Sequence, residues 1–318
     1  MTRFIAKRVA LGLVTLSLLS VLVFFMANVL PGNVARRVLG PYASPTAVAA
    51  LNRELGTDKP VLTQYVNQMK GYLRGDMGRS VSTRQPVSDV LWPALGRSAK
   101  LALLAFLIVV PLSIIGGVVA ALHEGSLRDR VISVGGLSAT AVPDFVWAVL
   151  LLTVFSLGLG LLPSTAAFPS GSGVLTQVKH LLLPSFCIVL GLFGYIARMA
   201  RAGTIEALDA EYTRTAVIKG LPQRTVLRRH VLRNSLLPTI AVIATQVGYL
   251  MGGLVVIELI FNYQGIGLMI FRAATQKDFP ALEAAVLVVG VVFLVSTLVA
   301  DILYSVLNPR VRLGSAES

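Results

Sequence analysis

The chain contains little charge and almost no cysteine or histidine. Only 14% of its 318 residues are charged, against about 25% in soluble domains, while 55% are apolar and the mean hydropathy is +0.77. The single cysteine, Cys187, lies in an apolar run and excludes a disulfide framework. The three histidines are far apart in sequence and show no metal-ligand spacing. This composition indicates an integral membrane protein.

Signatures of catalysis and nucleotide binding are also missing. The sequence contains no GxxxxGK(S/T) loop, no G-x-S-x-G elbow and no HExxH helix. We therefore expect this chain to have no enzyme activity, cofactor or metal site of its own. The formal net charge of +13 would suggest nucleic-acid binding in a soluble protein. In a membrane protein Lys and Arg set topology and contact anionic lipid, so we expect lipid contacts and no nucleic acid.

Long apolar runs are abundant. A helix needs about 20 apolar residues to cross the hydrocarbon core, and six segments have that length. The first is too long for the apolar region of a signal peptide and precedes no clear cleavage site, so we interpret it as a retained span. The sequence predicts an all-α membrane protein with six transmembrane helices, near 9–30, 99–122, 132–157, 181–200, 238–260 and 283–306.

The longest stretch between two predicted spans, residues 31–98, is expected to form a small helical domain outside the cytoplasm. Within it, Ser44, Pro45 and Gly56 have the positions of an N-cap, a first helical residue and a C-cap. Val61 begins a second pattern with helical spacing. An alternative is that these helices lie loosely on the lipid surface.

The distribution of Lys and Arg predicts the topology. Loops longer than about 60 residues are translocated regardless of charge. Once residues 31–98 are set aside, the basic residues are concentrated on the side of both termini. We therefore expect both termini in the cytoplasm, with the first span within 1–30 and the remaining five spans within 99–318. The basic segment 201–236 then faces the cytoplasm.

A basic segment, DAEYTRTAVIKGLPQRTVLRRHVLRNSLLP (209–238), interrupts the apolar sequence. Residues 204–219 contain neither Gly nor Pro and are predicted to form one helix. Gly220 can end that helix and Pro222 can start another, which gives a helix, a tight turn and a second helix. Two other interpretations remain open on the residues alone. One is a solvated loop whose arginines only fix topology, and the other is a helix-turn-helix DNA reader without a third helix.

Ionisable side chains within the predicted spans are candidate functional residues, because charge inside a membrane is costly. Asp144, Glu258 and Asp301 are such residues. Structural pairing explains each of them at least as well as contact with a substrate. Asp144 follows Pro143, and a kink beside a polar side chain suggests a cavity or an interhelical contact.

Two pairs of glycines in the second half of the chain are also candidates. Gly248 and Gly252 form a GxxxG motif, which predicts close helix packing. Gly265 and Gly267 follow the fifth predicted span in the stretch FNYQGIG. We expect them to adopt positive φ and to form a re-entrant turn of an external gate.

The stretch EYTRTAVIKGLPQRTVLRRHVLRNSLLP resembles the cytoplasmic coupling motif of permease subunits from bacterial ABC importers, and more narrowly that of the dipeptide/oligopeptide/nickel permease group. The general motif has Glu-Ala-Ala, three residues and Gly; here Arg214-Thr215-Ala216 precede Gly220 with the same spacing. LNRELGTDKPVLTQY, GDMGRSV, VIELIFNYQGIGLMI and DILYSVLNPRVR are similar to further landmarks of that group, in the same order. Asp144 departs from the group, so the resemblance assigns it no role.

The resemblance implies a fold, partners and site residues. The fold would be that of a type I ABC importer permease, multi-pass in the bacterial inner membrane. The partners would be a paralogous permease, two cytoplasmic ATPase subunits that bind ATP and Mg, and an extracytoplasmic binding protein. The residues that couple to the ATPase would be Asp209, Tyr212, Arg214, Ala216, Gly220 and Leu221. We also consider Asp144, Glu258, Gly265 and Gly267 as candidates for the gate or translocation path.

The cargo is left open by the resemblance. Peptides are the commonest cargo of the group, and nickel chelates, glutathione and haem are alternatives. An ion-coupled secondary transporter is an alternative of a different class. Asp144 beside Pro143 is the only feature of the sequence that favours it.

Overall fold

The structure, a computed structural model, describes residues 2–28, 34–40, 42–56, 58–169 and 171–307. These ranges are mostly helical and contain no β-strand. The helices are α1 (Thr2–Asn28), α2 (Val34–Leu39), α3 (Pro45–Leu55), α4 (Val61–Leu73), α5 (Val87–Leu122), α6 (Leu127–Ala141), α7 (Asp144–Leu151), α8 (Val174–Asp209), α9 (Glu211–Ile218), α10 (Gln223–Thr225), α11 (Leu232–Ile260), α12 (Ile266–Thr275) and α13 (Phe279–Leu307). Two π-helical segments, π1 (Leu152–Gly158) and π2 (Val226–Val231), continue α7 and precede α11.

The chain divides into two compact units. The core unit contains Ala99–Tyr263 and the end of α13 from Val295 onward. The amino-terminal unit contains Thr2–Ser98 and Gln264–Leu294. Since both boundaries that involve helices fall inside α5 and α13, each of these helices contributes to both units.

Several helices can cross a membrane, as the sequence predicts. Four are long and apolar enough within Ile5–Met26, Val87–Leu122, Val174–Asp209 and Phe279–Leu303. A fifth candidate is the bent pair Leu127–Ala141 and Asp144–Gly158, whose two parts meet at 103°. The predicted span 238–260 lies within α11, where several side chains are outside the described part of the chain. The all-α membrane fold is confirmed.

Several helix boundaries differ from the sequence predictions. α5 begins at Val87, well before the predicted start of that span at 99. The predicted span 132–157 is not one kinked helix, because Val142 is extended (φ −82°, ψ 128°) before Pro143 and the chain bends sharply there. Residues 204–219 are not one helix either. Ala210 is extended (φ −67°, ψ 145°) and separates α8 from α9.

Small residues allow the helices of the core unit to approach closely. A Cβ atom added to Gly194 of α8 would lie 2.2 Å from the carbonyl oxygen of Gly136 in α6. One added to Gly203 of α8 would lie 2.4 Å from the carbonyl oxygen of Ser235 in α11. Such contacts between backbones are possible only where no side chain intervenes. α8 therefore packs against its neighbours through its own backbone.

The predicted packing motif of Gly248 and Gly252 belongs to α11, but the surroundings of both glycines lie outside the described part of the chain. Their role in packing stays a prediction.

The caps of α3 in the amino-terminal unit are those that the sequence predicts. The Ser44 hydroxyl accepts a hydrogen bond from the Ala47 amide at 3.2 Å. Pro45 is the first helical residue, and Gly56 follows the helix with φ 68°.

Further along the chain, α5, α12 and α13 share an apolar core formed by Val87, Leu91, Ala94, Ile266, Ala273, Ala281, Ala284 and Ala285.

Asp278, between α12 and α13, anchors the loop that precedes α5. Its carboxylate accepts hydrogen bonds from the Ser80 hydroxyl, the Val81 amide at 3.1 Å, and the amide and hydroxyl of Ser82 at 3.1 and 2.7 Å. It also accepts one from the Ala281 amide in the first turn of α13. Burial raises the pKa of Asp278, but the hydrogen bonds from Ser80, Ser82 and Val81 outweigh burial, and the pKa lies below its ordinary value.

Candidate functional site

The basic segment 209–238 folds around a small apolar core. Ala207 at the end of α8, Ala216 in α9, and Val226 and Val231 in π2 are buried together. The Thr213 hydroxyl donates a 2.6 Å hydrogen bond to the carbonyl of Ala207 across the break. This core requires the chain to reverse after α8. That explains why α8 and α9 are separate although neither Gly nor Pro lies between them.

The turn after α9 has the predicted glycine geometry. Gly220 adopts φ 74°, a conformation that is costly for other residues. Its amide donates to the carbonyl of Val217 at 2.9 Å, and the Leu221 amide donates to the carbonyl of Ala216 at 3.3 Å. Pro222 precedes α10 as its N-cap residue. The turn thus fixes the direction in which the chain leaves α9.

Large apolar side chains of this segment are exposed. Ile218 exposes 85% of its surface and Val217 exposes 60%. Tyr212 and Leu221 expose 41% and 37%. We call these four residues the apolar patch. Tyr212 and Leu221 are among the residues that the sequence predicts for coupling, whereas Val217 and Ile218, the most exposed of the four, are not.

The other predicted coupling residues have different environments. Asp209 and Arg214 are exposed, and Arg214 lies 3.6 Å from the carboxylate of Glu211 one turn earlier. Ala216 is buried in the core of the segment. It therefore shapes the segment from inside and presents no surface to a partner.

An ion pair joins α6 to the last turns of α8. Arg201 Nε and Nη2 donate to the two carboxylate oxygens of Asp129 at 2.6 and 2.7 Å. Asp129 also accepts hydrogen bonds from the Gly125 amide and the Ser133 hydroxyl, both at 3.0 Å. Glu124 lies 3.6 Å from Arg201. This pair could not be predicted from the sequence, because the two residues are 72 positions apart and Arg201 differs in no way from the other basic residues that indicate topology.

Asp144 is the first residue of α7, directly after the bend at Pro143. A Cβ atom added to Gly191 of α8 would lie 2.9 Å from its Oδ1 atom. The carboxylate therefore occupies space that only a glycine in α8 leaves open. This fits the predicted interhelical contact, while a role in transport stays a prediction. Glu258, in α11, is fully buried, and Asp301 lies in α13.

The predicted glycine turn after α11 is wrong in its backbone geometry. Gly265 is extended (φ −86°, ψ −175°), and Gly267 lies inside α12. Asn262 has the positive φ of this turn, 49°, and Asn tolerates that conformation better than most residues. The Phe261 carbonyl accepts hydrogen bonds from the Ala166 amide at 2.8 Å and the Thr165 hydroxyl at 3.1 Å. The stretch is a pinned turn before a short helix, and its role as a gate stays a prediction.

Comparison with known proteins shows which family this chain is similar to. A profile of the family described as "Binding-protein-dependent transport system inner membrane component" matches residues 113–313. The profile of the amino-terminal part of such membrane components matches residues 1–109. These two matches cover both units of the structure.

Similar proteins of named function align over nearly their full length. A peptide transport system permease protein of Brucella abortus (strain 2308) is 36% identical over 98% of this chain and 99% of its own. A counterpart in Brucella suis biovar 1 has the same identity and coverage. The glutathione transport system permease protein of Escherichia coli (strain K12) is 32% identical, again over 98% of this chain and 99% of its own.

Proposed function

This chain belongs to the family of binding-protein-dependent transport system inner membrane components, which are permeases of ABC importers, and from that premise we propose how it works. It forms the translocation path together with a paralogous permease and imports short peptides. Two cytoplasmic ATPase subunits bind ATP and Mg and drive transport, and an extracytoplasmic binding protein delivers the cargo. The basic segment 209–238 transmits the movement of the ATPases to the spans.

The apolar patch is the observation that carries the proposal. Exposed apolar side chains on a membrane span can be covered by lipid, but those of α9 lie among the charged residues Glu211, Arg214 and Lys219. A patch rimmed by polar groups marks a contact with another protein. The proposed partner is a cleft on an ATPase subunit, because permeases of this family work with ATPase subunits.

The geometry of the segment supports a mechanical role. The Thr213 hydrogen bond attaches α9 to α8, and the packing of Ala216 against Val226 and Val231 attaches it to π2. Since both ends of α9 are held, a push on the patch moves the segment as one body. A flexible loop would absorb that push.

The test is a substitution on the apolar patch that leaves the internal packing of the chain undisturbed. Ile218→Asp replaces a side chain that is almost fully exposed, so the permease is expected to accumulate and fold normally. We expect the ATPase subunits to be lost when the variant is purified with its co-expressed neighbours. Arg228→Ala, also exposed and on the same segment, is the matched control and should retain them. ATPase subunits that remain bound to Ile218→Asp would contradict the proposal.

The proposed orientation, with both termini and segment 201–236 in the cytoplasm and residues 31–98 outside, has its own test. In a variant whose only cysteine is Arg224→Cys, made with Cys187→Ser, an impermeant thiol reagent should label the protein only after the cells are opened. Labelling of the protein in intact cells would show that the orientation is the opposite of the proposed one.

Short peptides are the proposed cargo because the similar proteins are named for peptide and glutathione transport. Glutathione is itself a tripeptide. The family membership gives no support to the ion-coupled secondary transporter. In proteoliposomes that contain the complete complex, transport of a tripeptide should require ATP on the side of the membrane that corresponds to the cytoplasm. Uptake driven by an ion gradient without ATP would contradict this assignment.

A further inference from the structure

The amino-terminal unit contains a cavity of about 530 Å³, a volume typical of sites for small molecules. It lies among α1, α3, α4, the loop after α4 and the start of α13, all within this unit. We call it the α4 pocket. None of the residues assigned above to coupling or to the gate lines it.

A buried carboxylate forms part of the pocket wall. Glu283, in the second turn of α13, exposes only 3% of its surface. The Gln68 side-chain amide donates to the Glu283 carboxylate and also to the Tyr72 hydroxyl, the latter at 2.8 Å. Burial and the charge of Glu283 raise the pKa of Tyr72, so its hydroxyl stays protonated. These three side chains form one polar cluster inside the pocket.

Cationic side chains line the same pocket nearer to solvent. Arg53 and Lys59, which flank the end of α3, and Arg79, in the loop after α4, are exposed residues of its wall. Arg79 is partly fixed, because its Nη2 atom donates to the carbonyl of Arg84 at 2.8 Å. The pocket thus combines a deep anionic group with three shallow cationic groups and one shallow carboxylate, that of Asp76, which accepts a hydrogen bond from the Gly78 amide at 2.9 Å. A ligand that matches it has a cationic end and an anionic end.

We propose that the α4 pocket binds a short peptide whose two termini are free. The terminal ammonium group lies against Glu283 and the Tyr72 hydroxyl, and the terminal carboxylate lies among Arg53, Lys59 and Arg79. The choice of a peptide over other zwitterions rests on the proposed function, since it takes the cargo from there. The pocket is a peptide site on the permease itself, separate from the binding protein, and it includes residues at the ends of two helices that can cross the membrane, α1 and α13.

The test measures peptide binding without the binding protein. The complex of permease, paralogue and ATPase subunits is placed in nanodiscs without nucleotide, and binding of radiolabelled trialanine is measured at equilibrium. We expect saturable binding to the wild-type complex and at least tenfold weaker binding to Glu283→Gln. Asp89→Asn removes an exposed carboxylate of the same unit outside the pocket and should bind as the wild type does. Trialanine acetylated at its amino terminus and trialanine amide should each compete at least tenfold less well than trialanine.

The remaining outcomes are decisive as well. No binding to the wild-type complex overturns the proposal, as does equal binding to the wild type and Glu283→Gln, which would locate the peptide in the translocation path. If Glu283→Gln does not assemble, Tyr72→Phe decides, because it removes only the hydroxyl. Weaker binding by Tyr72→Phe supports the site, and unchanged binding overturns it. Failure here leaves the ATPase association of the Ile218 experiment unaffected, so the two proposals fail separately.

Discussion

α8 and α13 are both long apolar helices, yet they differ greatly in burial. In the most apolar window of α8, 61% of the residues are buried, against 6% in that of α13. α8 presents glycines and alanines to its neighbours, whereas α13 exposes Phe293, Val295 and Val299. Apolarity therefore identifies a helix that can enter the membrane. Small residues identify the helix that packs against protein, because only they allow backbones to touch.

The largest effect is expected from adding one methyl group to α8. Gly194→Ala would place its Cβ 2.2 Å from the carbonyl oxygen of Gly136 and 2.3 Å from its carbonyl carbon. Backbone atoms cannot move aside as a side chain can. The cost should therefore exceed the about 1–3 kcal/mol of ordinary overpacking. We expect little folded protein in a fluorescence-detected size-exclusion assay.

The matched control adds the same methyl group to α13. In Gly290→Ala the new Cβ meets the end of the Leu19 side chain at 2.7 Å. A Leu side chain can change rotamer, so this variant should elute and melt close to the wild type. An equal loss of folded protein in both variants would mean that the difference in burial between α8 and α13 does not determine how well each helix tolerates an added methyl group.

The second effect concerns the end of α8 that Asp129 holds. Asp129→Ala leaves the Arg201 guanidinium without its bidentate partner, and we expect a loss of about 2 kcal/mol in unfolding free energy. The loss is moderated by solvent, because the Arg201 side chain keeps 26% of its surface exposed. Thermal unfolding of the purified protein measures it. Glu124→Gln, which changes a mostly exposed carboxylate 3.6 Å from the same arginine, should be nearly neutral; an equal effect would show that the close pair is not special.

A smaller stability effect, with a large functional one, is expected after α9. Gly220→Val forces a β-branched residue to φ 74° and costs about 1–2 kcal/mol. Nothing lies within 4 Å of a Cβ at this position, so the strain is in the backbone alone. We expect near-normal membrane levels, a weakened ATPase complex and no substrate-stimulated ATP hydrolysis. Transport at the wild-type rate would reduce the segment to a loop that only sets topology.

The smallest effect is a pH dependence at the start of α13. The folded pKa of Asp278 is lowered, so its contribution to stability is complete above the unfolded pKa of about 3.9 and is lost as pH falls through the folded value. The difference in melting temperature between wild type and Asp278→Asn should be constant from neutral pH to about pH 5 and shrink below about pH 4. A difference that grows on acidification would contradict the lowered pKa.

The local features of the fold could be predicted from sequence because their causes lie within a few residues. The Ser44 cap, the Gly56 cap and the positive φ of Gly220 follow from the preferences of those residues at helix ends. Four of the six predicted apolar runs likewise correspond to single helices that can cross a membrane, and a fifth corresponds to the bent pair of α6 and α7. The family resemblance rested on ordered landmarks, and the comparisons confirm it.

Features that depend on distant residues could not be predicted. The break at Ala210 follows from a core that Val226 and Val231 complete, and the contact of Gly194 depends on Gly136 in another helix. The expected positive φ at Gly265 was wrong because Asn262 makes the turn three residues earlier. The apolar patch could be predicted only in part, since the exposure of Val217 and Ile218 is a property of the folded segment.

α8 is longer than a crossing of the membrane requires. Its 36 residues extend about 54 Å at 1.5 Å per residue, while the hydrocarbon core is about 30 Å thick. A substantial part of the helix must therefore project beyond the membrane. The Asp129–Arg201 pair and the contact between Gly203 and Ser235 hold the carboxyl-terminal end of α8 against α6 and α11. In the coupling proposed above, a force applied at Ile218 would reach α8 through this end of the helix.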